Sequence, residues 1–98
     1  MVRRIVWTSK AIEERKEILD YWNKRNQSKF YSRKLNKLFI EKINHTALQP
    51  FSGRKTDDEN IRVRIVKEYL IFYEIEETQI IILTIWDGRR NREDLRIR

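Results

Sequence analysis

Three strand-like segments follow one another in the second half of the chain, with only short turns between them. IRVRIV (61–66) alternates apolar and basic residues, which is typical of a strand with one buried face. YLIFYEI (69–75) follows after a short turn at Lys67–Glu68, and QIIILTIW (79–86) follows after a turn at Glu77–Thr78. The last segment is apolar on both faces, as expected of a central strand. These residues are therefore predicted to form an antiparallel sheet.

The first half of the chain carries one short strand and two helical patterns. RRIVW (3–7) is rich in β-forming residues, and the segment that follows has apolar residues at helical spacing as far as Asn26. Ser9 can cap that helix, and Ser28 can cap a second helix. Pro50 ends the second helix because it cannot continue the hydrogen-bond ladder. Two amphipathic helices joined by so short a link are predicted to form an antiparallel hairpin.

The predicted order is β-α-α-β-β-β, and the predicted fold class is α+β. It has two layers, a helical hairpin packed on one face of an antiparallel sheet. If direction reverses at each element, the first and last strands are antiparallel and pair, and the last strand lies between the first and the third. The 98 residues, with 2 Gly and 1 Pro, fit a single domain over 1–98 in which 50–60 is the only loop of any length.

The register of the last hairpin predicts an apolar patch on the face that the helices leave uncovered. A turn at Glu77–Thr78 places Glu74 on this face together with five apolar residues. They are Leu70, Phe72, Ile81, Leu83 and Ile85. An exposed apolar patch of this size usually marks a partner site. Two alternatives stay open: the C-terminal tail or the 50–60 loop covers the patch, or a protein partner binds it.

Basic residues are predicted to surround the patch. Ile61, Val63 and Ile65 are expected to point towards the helices, so that Arg62 and Arg64 point to the open side. The other basic candidates are Arg54, Lys55, Arg89, Arg90, Arg92 and Arg96. The formal net charge of +7 suits nucleic acid or an acidic protein, and solubility is the plain alternative. Arginine forks bind phosphate in bidentate fashion.

Several kinds of site are not predicted. The chain has no cysteine, so it has no disulfide or thiolate metal site, and it has no phosphate-binding glycine loop or metalloprotease motif. No metal or other cofactor is expected. His45, the only histidine, is expected at the surface or core edge. Without a signal peptide or an apolar run of roughly 18 residues, a cytoplasmic location and no membrane partner are predicted.

Four segments of the chain carry a family resemblance. They are AIEERKEILDYW, YSRKLNKL, PFSGRKTDDENIRVRIVKEYLIFYEI and IIILTIWDGRRNREDLRI. In this order and spacing they resemble the RelE/ParE superfamily of type II toxins, whose architecture is β-α-α-β-β-β. The resemblance implies a growth-arresting toxin and an antitoxin that wraps over it. The five patch residues are then the predicted antitoxin contacts, and the predicted target contacts are Arg54, Lys55, Arg92 and Arg96.

The superfamily has two main activities. One branch cleaves mRNA in the ribosome, and the other poisons DNA gyrase without being an enzyme. A nuclease would use Arg62, Arg64, Arg89 and Arg90 to stabilise the transition state without a metal. Where that branch ends with a tyrosine or histidine, this chain has Arg96, which exchanges protons poorly. The gyrase branch is therefore slightly favoured, with a ribosome-dependent endonuclease or a non-toxic nucleic-acid-binding module as alternatives.

Overall fold

A computed structural model describes residues 2–98 as a helical hairpin packed on one face of a five-stranded sheet. The strands are β1 (Arg4–Trp7), β2 (Arg54–Lys55), β3 (Ile61–Val66), β4 (Tyr69–Ile75) and β5 (Gln79–Asp87). The helices are α1 (Ser9–Asn26) and α2 (Phe30–Leu48), with short 3-10 turns at Pro50–Ser52 and Arg92–Asp94. The strand order is β1-β5-β4-β3-β2. The last strand therefore lies beside the first, as predicted, and the two-layer α+β class is confirmed.

Both helices bury their predicted apolar stripes against the sheet. On α2 the buried residues are Leu35, Phe39, Ile43 and Ala47. The cap of α1 is Thr8 and not Ser9: the Thr8 hydroxyl accepts from the Ala11 N–H at 3.1 Å and donates to the Ile82 carbonyl at 3.0 Å. This residue therefore ties the helix start to β5. Within residues 2–98, neither helix combines the length and apolar character that crossing a bilayer requires.

The first and last strands are parallel, contrary to the prediction. Arg4 of β1 lies opposite Gln79 of β5, and Trp7 lies opposite Ile82. The reason lies in the loop at 50–60, where the two-residue strand β2 pairs antiparallel with β3. This pairing adds one reversal of chain direction, so β3, β4 and β5 each run opposite to the expected direction.

A bulge in β5 changes the face of one predicted patch residue. The β4–β5 hairpin keeps the predicted register as far as Ile82, but Phe72 then lies opposite Thr84, which leaves Leu83 as an extra residue. Beyond the bulge, Ile85 lies in the core under the helices and is 2% exposed. The predicted orientation of Ile85 is therefore wrong, because the extra residue exchanges the two faces of the strand.

The side chains of β3 also point opposite to the prediction. Val66 pairs with Tyr69 and Arg64 pairs with Ile71, so Arg62 and Arg64 lie on the helix side of the sheet. The opposite face carries Ile61, Val63 and Ile65. The apolar residues of β3 face away from the helices because that side of the sheet is buried as well.

The face of the sheet opposite the helices, called the tail face below, holds a second core. Its buried residues, none more than 7% exposed, are Ile61, Phe72, Leu83 and Trp86. Leu70 and Ile81 pack against them. The C-terminal tail (88–98) crosses this face, and its Leu95 and Ile97 pack on the cluster. Of the two alternatives for the apolar patch, the tail is thus the one that the structure shows.

Candidate functional site

Two polar attachments hold the tail on the sheet. Arg98 donates two hydrogen bonds to the Glu74 carboxylate, each 3.1 Å long, and lies 3.8 Å from Asp58. Lys10 of α1 donates to the Arg96 carbonyl. The hydrogen bond with Glu74 raises the pKa of Arg98. The tail is therefore fixed to β4 at its end and to α1 just before it.

Between the tail and the β2–β3 corner lies a cavity of about 350 Å³, called the basic cavity below. Its apolar lining consists of Val63, Ile65, Leu70, Phe72, Trp86 and Leu95. Its polar rim consists of Arg54, Lys55 and Arg92, beside Gly88. This volume lies within the usual range for ligand pockets. Three predicted target contacts and two predicted antitoxin contacts thus lie around one cavity.

The rim of the basic cavity carries uncompensated positive charge. Arg54, Lys55 and Arg92 are exposed, and none of them takes part in the ion pairs formed within residues 2–98. Arg96, the fourth predicted target contact, lies apart from the rim. Its guanidinium donates to two carbonyls of the tail itself at 3.0 and 3.1 Å. The rim is therefore suited to an anionic group from another molecule.

Trp86 forms part of the cavity wall and was not selected from the sequence. It is 5% exposed, and its Nε1–H has no hydrogen-bond partner within residues 2–98. The Arg90 guanidinium lies over the indole ring, 4.4 Å from the ring centroid, as in a cation–π contact. Buried donors without an acceptor are rare in folded proteins. Nothing in the sequence marks Trp86, because only the bulge places it on the tail face, opposite Leu70.

Arg62 and Arg64 hold the turn that precedes β2. The Arg62 guanidinium donates to the carbonyls of Phe51 at 2.8 Å and Gly53 at 3.0 Å, and it lies over the Phe51 ring at 5.3 Å. Arg64 donates to the Ser52 hydroxyl of the same turn and lies 3.3 Å from Nδ1 of His45. Two of the predicted nuclease residues therefore have a structural role at the turn.

The other two predicted nuclease residues make separate contacts. Arg89 donates to the Asp87 carboxylate from Nε at 3.0 Å and from Nη2 at 2.8 Å. This hydrogen bonding lowers the pKa of Asp87 and raises the pKa of Arg89. Arg90 stacks on Trp86 instead. The four arginines thus contact three different parts of the fold, and they do not share a partner.

A groove of about 450 Å³ lies between α2 and the end of β3. Its lining includes Lys42, His45, Arg64 and Lys67, together with Glu41. It places the imidazole of His45 beside the guanidinium of Arg64. Residues 2–98 contain no cluster of three or more His, Asp or Glu side chains that could hold a metal ion.

Comparisons with known proteins identify a family match and a related fold. A family model described as "ParE toxin of type II toxin-antitoxin system, parDE" matches residues 5–92. Among solved structures, the chain is similar to "Chromosomal ParDE TA system from P. aeruginosa", with a TM-score of 0.72 and 17% identity. That match covers 86% of this chain and 94% of the other. At this identity the likeness concerns the fold, and no curated protein matches the chain.

Proposed function

The chain belongs to the ParE toxin family of type II toxin–antitoxin systems, and we propose from this premise that its target is DNA gyrase. It is a toxin component, and its family implies an antitoxin partner. On this proposal the protein stops growth by binding gyrase and is not an enzyme. Because gyrase acts on chromosomal DNA, the proposal also implies a cytoplasmic location.

The contacts of the arginines carry this proposal. Metal-independent RNA cleavage needs guanidinium groups that can reach the scissile phosphate, and a group that exchanges a proton beside them. Arg62 donates to two backbone carbonyls, and Arg89 donates to Asp87. The tail (88–98) contains no tyrosine or histidine that could transfer a proton beside Arg90. These side chains fit a binding protein better than a nuclease.

The test uses purified protein with two substrates. In a supercoiling reaction with gyrase, ATP and relaxed plasmid, the proposal expects loss of supercoiling. It also expects linear plasmid after detergent and protease treatment, which reveals trapped cleavage complexes. In a ribosomal translation reaction, primer extension should find the mRNA intact. Normal supercoiling together with cut mRNA would overturn the proposal.

A ribosome-dependent endonuclease is the second candidate, and the groove beside α2 is the observation that favours it. His45 lies 3.3 Å from the Arg64 guanidinium, so on this alternative His45 would be the proton-transfer group, beside an arginine that also holds the turn. On this alternative, His45→Ala abolishes mRNA cleavage while His45→Ala protein keeps its thermal stability. The gyrase proposal expects no mRNA cleavage by the unmodified protein or by His45→Ala.

A further inference from the structure

We infer that the basic cavity binds an acidic segment of the antitoxin that inserts one apolar side chain. This inference rests on the proposed function only in naming the partner as the antitoxin. The first argument is position: the cavity lies at the margin of the tail, between Leu95 and the β3 side chain Val63. The tail contributes Arg92 and Leu95 to the lining, and the space beside them is not filled by the folded chain. A partner can therefore reach the apolar floor without displacing the tail.

The second argument is the combination of groups around the opening. Val63, Leu70 and Phe72 offer an apolar floor, while Arg54 and Arg92 stand at the rim without an acidic partner in residues 2–98. An apolar side chain would fill the floor, and carboxylates on either side of it would meet the two guanidinium groups. The occupant that matches both features is a peptide with a leucine or a similar residue between acidic residues.

The third argument concerns the indole of Trp86. It lines the same cavity, and its buried Nε1–H has no acceptor within residues 2–98. Its place in the lining makes the Trp86 indole a reporter of any occupant of the cavity. The cavity thus matches two parts of such a peptide, its apolar side chain and its carboxylates.

Single-stranded nucleic acid fits the cavity less well. Such ligands bind by stacking bases on exposed aromatic rings along a basic groove. The aromatic residues here, Phe72 and Trp86, are 7% and 5% exposed, and Arg90 already covers the Trp86 ring. Charge alone would attract phosphate, but the ring faces that a base needs are occupied. Peptide is therefore the ligand that the cavity favours.

The experiment follows the three indole N–H signals by NMR during addition of a probe peptide. The probe is an acetylated, amidated pentapeptide with a central leucine flanked by two glutamates on each side. The chain has three tryptophans, Trp7, Trp22 and Trp86, and Trp86→Phe assigns the relevant signal. The inference expects a saturable shift of the Trp86 signal, with the other two unchanged. A probe with a central alanine should bind at least tenfold more weakly.

A matched pair of charge variants makes the test specific. Arg54→Glu with Arg92→Glu should weaken probe binding at least tenfold. Arg33→Glu with Lys34→Glu, which are exposed on α2, changes the net charge equally and should leave binding within twofold. Equal weakening by both pairs, equal shifts of all three indoles, or a larger shift with oligothymidine would overturn the inference.

The antitoxin itself distinguishes this inference from the proposed function. In co-expression, the antitoxin should co-purify with the Arg33/Lys34 variant and not with the Arg54/Arg92 variant. Gyrase inhibition is measured on the unmodified protein, so it depends on none of these changes. A shift of the Trp86 signal without gyrase inhibition supports peptide binding in the basic cavity and contradicts gyrase as the target. Gyrase inhibition without any shift contradicts peptide binding in the cavity and supports gyrase as the target.

Discussion

Removal of the Tyr73 hydroxyl should destabilise the fold strongly, because it joins β4 to the turn before β2. This side chain is fully buried, and its hydroxyl donates to the Pro50 carbonyl at 2.6 Å and accepts from the Gly53 N–H at 3.2 Å. Tyr73→Phe leaves both backbone groups without this partner. At roughly 1–3 kcal/mol for each unsatisfied group, the free energy of unfolding should fall by about 3 kcal/mol. For a domain of this length the melting temperature should then fall by roughly 12–24 °C.

Urea denaturation followed by circular dichroism measures the loss. Tyr21→Phe is the matched control, because Tyr21 is 49% exposed, and it should change the free energy of unfolding by less than about 0.5 kcal/mol. If Tyr73→Phe loses no more than this control, the hydroxyl does not hold the turn. The start of β2 would then be positioned by other contacts, such as those of Arg62 with Phe51 and Gly53.

The same hydroxyl should also make stability depend on pH in the alkaline range. Burial raises the pKa of Tyr73 above its ordinary value of 10.0. The folded state therefore holds this proton more tightly than the unfolded state, so its contribution is fully present below about pH 10. It is lost as the pH rises from there to the folded-state pKa. The free energies of unfolding of the unmodified protein and of Tyr73→Phe should therefore converge in that range. A constant difference between them up to pH 12 would contradict the reasoning.

Three further changes test other parts of the fold. Thr8→Ala should cost about 1–2 kcal/mol in urea denaturation because it removes a helix cap, whereas Ser9→Ala should cost less than about 0.5 kcal/mol. Leu95→Ala with Ile97→Ala should cost roughly 2–3 kcal/mol and promote self-association in sedimentation; an unchanged monomer would contradict the covering role of the tail. Asp87→Asn should cost less than about 1 kcal/mol at pH 7. The pKa of Asp87 is lowered in the folded state, so the loss of unfolding free energy in Asp87→Asn should disappear as the pH falls below about 4. An equal loss at pH 2 would contradict this expectation.

Strands β3 and β4 could be predicted with their bounds because two constraints act together. Alternation assigns each side chain to a face, and two-residue turns leave no freedom in how neighbouring strands pair. The segments 61–66 and 69–75 are β3 and β4 with those limits. The helices were predictable for a similar reason, since the apolar stripe of each one has to be buried against the sheet.

The face of β3 could also have been predicted from the sequence. A two-residue turn at Lys67–Glu68 places Val66 opposite Tyr69, and counting back places Arg64 opposite Ile71, on the helix side. The prediction relied instead on the rule that apolar residues point towards the helices. That rule fails in a sheet with two buried faces, because each face then accepts apolar side chains.

The bulge in β5 had no signal in the local sequence. The segment 80–85 is apolar at nearly every position, so a shift of one residue exchanges one apolar side chain for another and costs little burial. A distant group favours the shifted register: Glu14 of α1 accepts from the Thr84 hydroxyl at 2.6 Å and from the Ile85 N–H at 3.2 Å. A contact 70 residues away in the sequence cannot be read from the strand itself.

With the tail in place, the fold offers a partner exposed positive charge rather than a wide apolar face. From the sequence, the apolar patch left two alternatives open, cover by the chain itself or by a partner, and the structure places Leu95 and Ile97 of the tail on it. Charge remains: Arg89 and Arg98 are paired with carboxylates, while Arg54 and Arg92 are exposed without one in residues 2–98. Burial of apolar area is completed within the chain, whereas the two rim arginines have no carboxylate partner in residues 2–98 and can pair with one from another molecule. Binding of a partner should therefore depend more on the charged rim of the cavity than on the apolar patch as a whole. It should also weaken as the salt concentration rises.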